Sequence, residues 1–165
     1  MKIDLNNPFF SSAKAILWRM GNVELLSDGL FYPEGDAIAS KGVTSIISFD
    51  GKVKGRLLLD MEPDTAIFLT RNITGKYLTN EKNYTVLSAA SEINNIIAGD
   101  GITYLNNTHS LGLRLSPPIV FAGKDALVCL DKIPGKSVSC KTMYGDLKII
   151  VAIERSLYID EGRIC

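Results

Sequence analysis

The sequence has little that would mark a membrane-spanning, secreted or nucleic-acid-binding protein. No apolar run among its 165 residues approaches the ~20 residues a membrane helix needs. Only 3 cysteines occur, Cys129, Cys140 and Cys165. They are too scattered for a disulfide framework, and no CxxC pair exists. Three reduced thiols in a cytosolic protein are expected. Cys165 does not stand fourth from the end, as a prenylation box requires. The opening Met1-Lys2-Ile3-Asp4 has no apolar stretch, so no secretory signal is expected. The Asn-x-Thr matches at Asn72, Asn83 and Asn106 then carry no glycosylation meaning. Charge of one sign is not in excess, since 18 Lys+Arg balance 18 Asp+Glu. A basic nucleic-acid footprint and a polybasic membrane patch are therefore not indicated. A Gly-rich phosphate loop, a Ser elbow, zinc spacing and a paired-carboxylate constellation are all missing. Small-molecule catalysis therefore has no visible seat, and no metal ligands are expected. The one histidine, His109, is expected at a helix end or the surface, without a catalytic role.

What is present reads as one globular domain. Hydrophobic residues make up 46% and charged residues 22%, near globular averages. The domain is expected over 1–155, and the tail 156–165 gives no clear signal. Asn7-Pro8 reads as an N-cap followed by Pro at N1. Phe9, Ala13, Ile16, Leu17 and Met20 then recur at helical spacing, ending near Gly21. Trp18 in that helix is expected to pack. A short strand is expected within 23–32. β-rich runs over 38–49 and 53–61 flank Asp50-Gly51, a hairpin signal. Pro63 opens a short helix to about Ile73, which Gly75 stops. A long helix is expected over 83–105, capped by Asn80 or Asn83. Strands follow over 111–120, 137–143 and 147–154, the last two joined at Gly145-Asp146. Hairpins dominate and no βαβ rhythm appears. The expected class is α+β, a two-layer sandwich with an antiparallel sheet and helices on one face.

The long helix carries the chemistry. With Val86 at zero on a wheel of about 100° per residue, Ala90, Ile93, Ile97 and Tyr104 fall within about 40° of it. They form the expected buried stripe. Ser88, Glu92, Asn95 and Gly99 lie between about 180° and 240°, on the opposite face. Glu92 and Asn95 are one turn apart and project side by side. A carboxylate anchors a cation. A primary amide donates and accepts hydrogen bonds, so it can hold a water without taking its proton. Two such groups on a rigid helix can reach into another molecule's site, although polar residues on an outer helix face are usually just solvated. Gly99 keeps that face low, at a cost of ~1 kcal/mol against Ala within a helix. Asp100 lies nearer the buried side and is expected to be a partnered or capping carboxylate. Asn94 is off the motif face and reads as structural.

These residues resemble the CheC/CheX family of chemotaxis phosphatases. The family signature is Asp or Ser, three residues, Glu, two residues, Asn, twenty-two residues and Pro. Here it reads Ser88, Glu92, Asn95 and Pro118. Asn7-Pro8-Phe9, Gly42-Val-Thr-Ser-Ile-Ile-Ser-Phe-Asp-Gly51, Asn95-Ile-Ile-Ala-Gly99 and Tyr144-Gly145-Asp146-Leu147 are similar too, so the likeness spans roughly residues 5–155. The second copy of the motif that CheC and FliY-type relatives carry is missing; at the equivalent place after Glu62, Thr65 stands instead of Asn. One copy is similar to the CheX type. Asp100 departs from the pattern, where Asn commonly follows the Gly.

The resemblance implies a cytoplasmic protein that hydrolyses the aspartyl phosphate of a CheY-type response-regulator receiver. Asn95 would orient the attacking water and Glu92 would pair with the receiver's active-site Lys. Ser88, Ser91 and Gly99 would touch the partner. It implies no cofactor on this chain, Mg²⁺ supplied by the receiver, and a homodimer. A water-positioning amide suits phosphoryl transfer, which is mostly positioning and charge stabilisation. The alternative is a non-catalytic module of the same fold that binds receivers or scaffolds them; the presence of both Glu92 and Asn95 favours the enzyme. Pro118 is expected to shape the strand after the helix.

Overall fold

Near its start the chain is set by proline and a caging carboxylate. Pro8 presets a helical φ, and residues 7–21 form helix α1 (Asn7–Gly21), burying Phe9, Ala13, Ile16 and Leu17. The cap is Asn6 rather than Asn7, and its side chain makes no capping bond. Asp4 serves instead: its Oδ1 accepts from the backbone N–H of Asn6 and Asn7 at 3.0 and 3.3 Å. Trp18, expected in the core or at its rim, is 58% exposed and so lies outside the core, beside the buried Leu17 but off the stripe. The computed structural model describes residues 4–31, 35–130 and 135–154, with 27–31 and 137–139 described in backbone only. The tail 156–165 lies outside the described residues.

Strand β1 (Leu26–Phe31) follows α1. The β-rich run expected as one strand over 38–49 is two, β2 (Ala37–Ala39) and β3 (Val43–Asp50). A buried carboxylate from β4 (Lys54–Met61) makes the break. Asp60 accepts from the Lys41 backbone N–H at 3.0 Å and from the Thr44 hydroxyl at 2.9 Å. That takes the Lys41 N–H out of any ladder, while the backbone of Ser40 and Gly42 bonds to residues 123–126. Gly42 lets the chain pass Pro63, since a Cβ there would lie 2.6 Å from the proline Cδ.

Helix α2 (Pro63–Thr74) starts and stops where its Pro and Gly indicate, with Gly75 left-handed at φ 69°. Helix α3 (Tyr84–His109) is capped by Asn83, whose Oδ1 accepts from Thr85 N–H at 2.8 Å. It runs four residues past the expected end at Leu105. Strands β5 (Arg114–Leu115) and β6 (Ile119–Ala122) divide the run expected as one strand. Pro117 and Pro118 lack N–H donors, so pairing stops between them and resumes. Both pieces still align with β3. Strand β7 (Leu127–Cys129) was not expected. Strands β8 (Gly135–Thr142) and β9 (Gly145–Glu154) form the expected hairpin. Its turn is Met143-Tyr144, not Gly145-Asp146, because Thr142 pairs with Gly145 and its hydroxyl donates to the Gly145 carbonyl at 2.7 Å.

The main sheet runs β1-β8-β9-β4-β3, with β5 and β6 both beside β3, and every pairing is antiparallel. All three helices pack on one face, as expected for the α+β class. There Ile47, Phe49, Leu57, Leu59, Ile149 and Val151 meet Phe9, Ile16, Leu17, Ile93 and Ile97 in the main core. The opposite face is not bare. Leu58 and Ile150 are covered by Val128 and Leu130, near the two-stranded sheet of β2 and β7. The middle of β4 and β9 is therefore packed with apolar side chains on both sides, and α3 rests on one of these faces. No helix among the described residues is long and apolar enough to cross a membrane.

Candidate functional site

Helix α3 lies over β3, β4 and β6. Its buried line runs Val86, Ala90, Ile93, Ile97, then Gly101 and Leu105. The steps are mostly four residues, so the line drifts around the helix relative to an ideal wheel. That drift corrects Tyr104, which the wheel puts in the core and the structure leaves 55% exposed. Near the middle of the helix the wheel holds. Glu92 is exposed, and Ser88, Ser91, Asn95 and Gly99 are half-buried on the outer side.

Glu92 and Asn95 have no side-chain hydrogen bond or ion pair among the described residues. Both functional groups are uncommitted, while the helix beneath them is fixed. A Cβ added at Gly99 would meet nothing within 4 Å, so this part of the helix surface stays low and open. Next to Glu92 and Ser88 lies an apolar depression of about 250 Å³. Met20 of α1, Ile73 of α2 and Ile93 of α3 line it. The three helices assemble this depression, and no local pattern announces it. His109 ends α3, half-buried, away from Glu92 and Asn95 by more than three turns of helix.

Asp100 stands differently from expectation. It is exposed rather than on the buried side, and it accepts a long bond of 3.4 Å from Ser12 of α1. Its partner role is thus a marginal link between α1 and α3. Asn94 is structural, as read from the wheel: it is fully buried, and its Nδ2 donates to the sheet. Pro118 is half-buried just before β6, where it ends the gap left by the two prolines. No group of three or more His, Cys, Asp or Glu side chains that could hold a metal occurs among the described residues.

The features define a helix-on-sheet protein that offers a carboxylate and an amide on one outward helix face. A family model described as chemotaxis phosphatase CheX matches residues 43–140. That is more than half of the chain, and the protein belongs to this family. Solved structures share the fold. A CheC-like superfamily protein from Shewanella sp. PV-4 superposes with a TM-score of 0.84 at 22% identity, over 94% of this chain and 100% of that one. A chemotaxis protein CheX from Desulfovibrio desulfuricans gives 0.82 at 17% identity, over 92% and 100%. The chain matched in the CheX–CheY–BeF₃–Mg²⁺ complex from Borrelia burgdorferi gives 0.76 at 23% identity, over 93% and 100%. No curated protein sequence matches the chain at a meaningful level.

Proposed function

We propose that this protein hydrolyses the aspartyl phosphate of a CheY-type receiver domain, with Glu92 and Asn95 entering the receiver's site. The observation that carries the reading is the pair of uncommitted side chains on a fixed, outward helix face in a CheX-family chain. Asn95 holds the attacking water through its amide. The water oxygen bonds to phosphorus, the acyl P–O bond breaks with its electron pair passing to the receiver's aspartate carboxylate, and inorganic phosphate leaves with the water's protons. The Asn takes no proton, so the step needs orientation rather than a base. Glu92 pairs with the receiver's Lys and fixes the docked geometry. Such positioning contributes through proximity and orientation. Ser88, Ser91 and Gly99 border the contact. Mg²⁺ comes with the receiver, in keeping with the CheX–CheY–BeF₃–Mg²⁺ composition of the Borrelia complex. The working form is a cytoplasmic homodimer.

The test is phosphate loss from a phosphorylated CheY-type receiver, followed with wild type, Glu92→Ala and Asn95→Ala. Wild type alone should accelerate it. A wild-type protein that binds the phosphorylated receiver without changing its decay would instead identify a docking module.

A further inference from the structure

Asn94 and Asn95 are consecutive, yet only Asn95 is needed at the outer face. Asn94 is fully buried in the seam between α3 and the sheet. Its Nδ2 donates to the Ser45 carbonyl at 3.1 Å and to the Ser45 hydroxyl at 3.2 Å. It also reaches the Leu57 carbonyl at 3.3 Å. Ser45 lies on β3 and Leu57 on β4, two adjacent strands of the platform. One amide thus ties α3 to both strands at once. Its Oδ1 has no hydrogen-bond partner among the described residues. A buried polar group that is only partly satisfied is costly compared with a well-packed apolar one.

We propose that Asn94 is a positioning residue: its bonds to Ser45 and Leu57 fix the roll of α3 and so the direction in which Asn95 leaves the surface. The inference rests on the receiver-phosphatase reading above. The contacts around Asn94 in this seam, from Val86, Ala90, Ile93 and Ile97, are apolar and non-directional; the other directional ties of α3, Asp100 to Ser12 and Asn106 to Leu113, lie towards its C-terminal end. They hold α3 down but tolerate a small rotation. Hydrogen bonds are directional, and a single buried polar residue can set register between packed elements. The lever is short. A roll of about 10° moves a side-chain tip ~6 Å from the helix axis by roughly 1 Å. Misplacement on that scale can cost a positioned reaction on the order of 100-fold. Asn95 has a short side chain and cannot recover the lost direction. Glu92 has one more rotatable bond and can, so docking survives the roll.

The experiment measures receiver dephosphorylation at varied phosphoreceiver concentration, with wild type, Asn95→Ala, Asn94→Leu and Asn94→Ala, each checked by thermal unfolding. Both Asn94 variants should unfold cooperatively. Their kcat should fall by ~10-fold or more, while the half-saturating receiver concentration stays within about threefold. Wild-type kcat in either variant overturns the proposal. So does a raised half-saturating concentration at unchanged kcat, which would make Asn94 a docking determinant. Loss of fold in both variants, or activity lost only in step with the unfolded fraction, also overturns it, since architecture then explains everything. If wild type itself leaves the receiver's decay unchanged, the phosphatase reading fails first, visibly in its own control, and this inference falls with it.

Discussion

Two polar clusters sit within this domain, and they have opposite fates. Around Asp60, fully buried on β4, every neighbour is engaged: the Lys41 backbone, Thr44 and Ser40 all point their donors at one carboxylate. Around Glu92 and Asn95 no donor or acceptor among the described residues answers either side chain. The first cluster shapes the backbone where β2 parts from β3. The second leaves its hydrogen-bonding capacity free for another molecule, and its supporting helix makes that capacity directional. Commitment inside the chain separates architecture from function more clearly than residue type does, since both clusters are built from a carboxylate and small polar partners.

The largest effect should come from breaking the uncommitted cluster. Asn95→Ala should return receiver phosphate loss to the receiver's own rate. Its unfolding free energy should change by less than about 0.5 kcal/mol, as for most surface substitutions. Chemical denaturation beside the phosphate assay checks both halves. A large stability loss would place Asn95 with the committed group and remove it from the site. Glu92→Gln should weaken docking while leaving turnover at saturating receiver largely intact, because the charge but not the shape is lost. Raising salt should shrink the difference between wild type and Glu92→Gln.

The committed cluster is best sharpened through pH. Burial pushes the Asp60 carboxyl above its ordinary value of 3.8, against the lowering effect of its bonds from Lys41, Thr44 and Ser40. The folded state therefore holds this proton to higher pH than the unfolded chain does. Stability should fall as pH rises from about the ordinary carboxylate value through the raised folded value, then level off. Denaturation midpoints across that range should show the fall in wild type, and Asp60→Asn should flatten it. A slope unchanged in Asp60→Asn would assign the titration to another group.

Much of this was written locally in the chain. Pro63 and Gly75 bound α2, and Asn83 caps α3, because each acts through its own backbone within a turn. The outward placement of Glu92 and Asn95 was legible too, since both sit within about three turns of the wheel's origin at Val86. Tyr104 was not, because phase error accumulates over the length of a helix whose buried line drifts as it crosses the sheet. The splitting of β2 from β3 depends on Asp60, which lies 19 residues from Lys41. The bonds of Asn94 span 49 residues to Ser45 and 37 to Leu57. Interactions at such separation leave no periodicity, so the wheel marks Asn94 as structural without showing which strands it ties. The apolar depression beside Glu92 is equally silent, because Met20 of α1 and Ile73 and Thr74 of α2, distant in sequence, close it against α3.

The smallest effect, and the finest test of the contrast, lies in two glycines of one helix. Gly101 is buried, and a Cβ there would run into the Phe9 ring of α1. Gly101→Ala should destabilise by roughly 1–3 kcal/mol, the usual cost of overpacking a core. Gly99 is half-buried on the motif face, with nothing within 4 Å of an added Cβ. Gly99→Ala should therefore stabilise by up to ~1 kcal/mol through helix propensity. If the outer face of α3 is the docking surface, that same methyl should stand between α3 and the receiver. Gly99→Ala would then be more stable and yet need more receiver for half-maximal rate. Greater stability with unchanged docking would move the edge of the contact away from Gly99 and confine it to Ser88, Glu92 and Asn95.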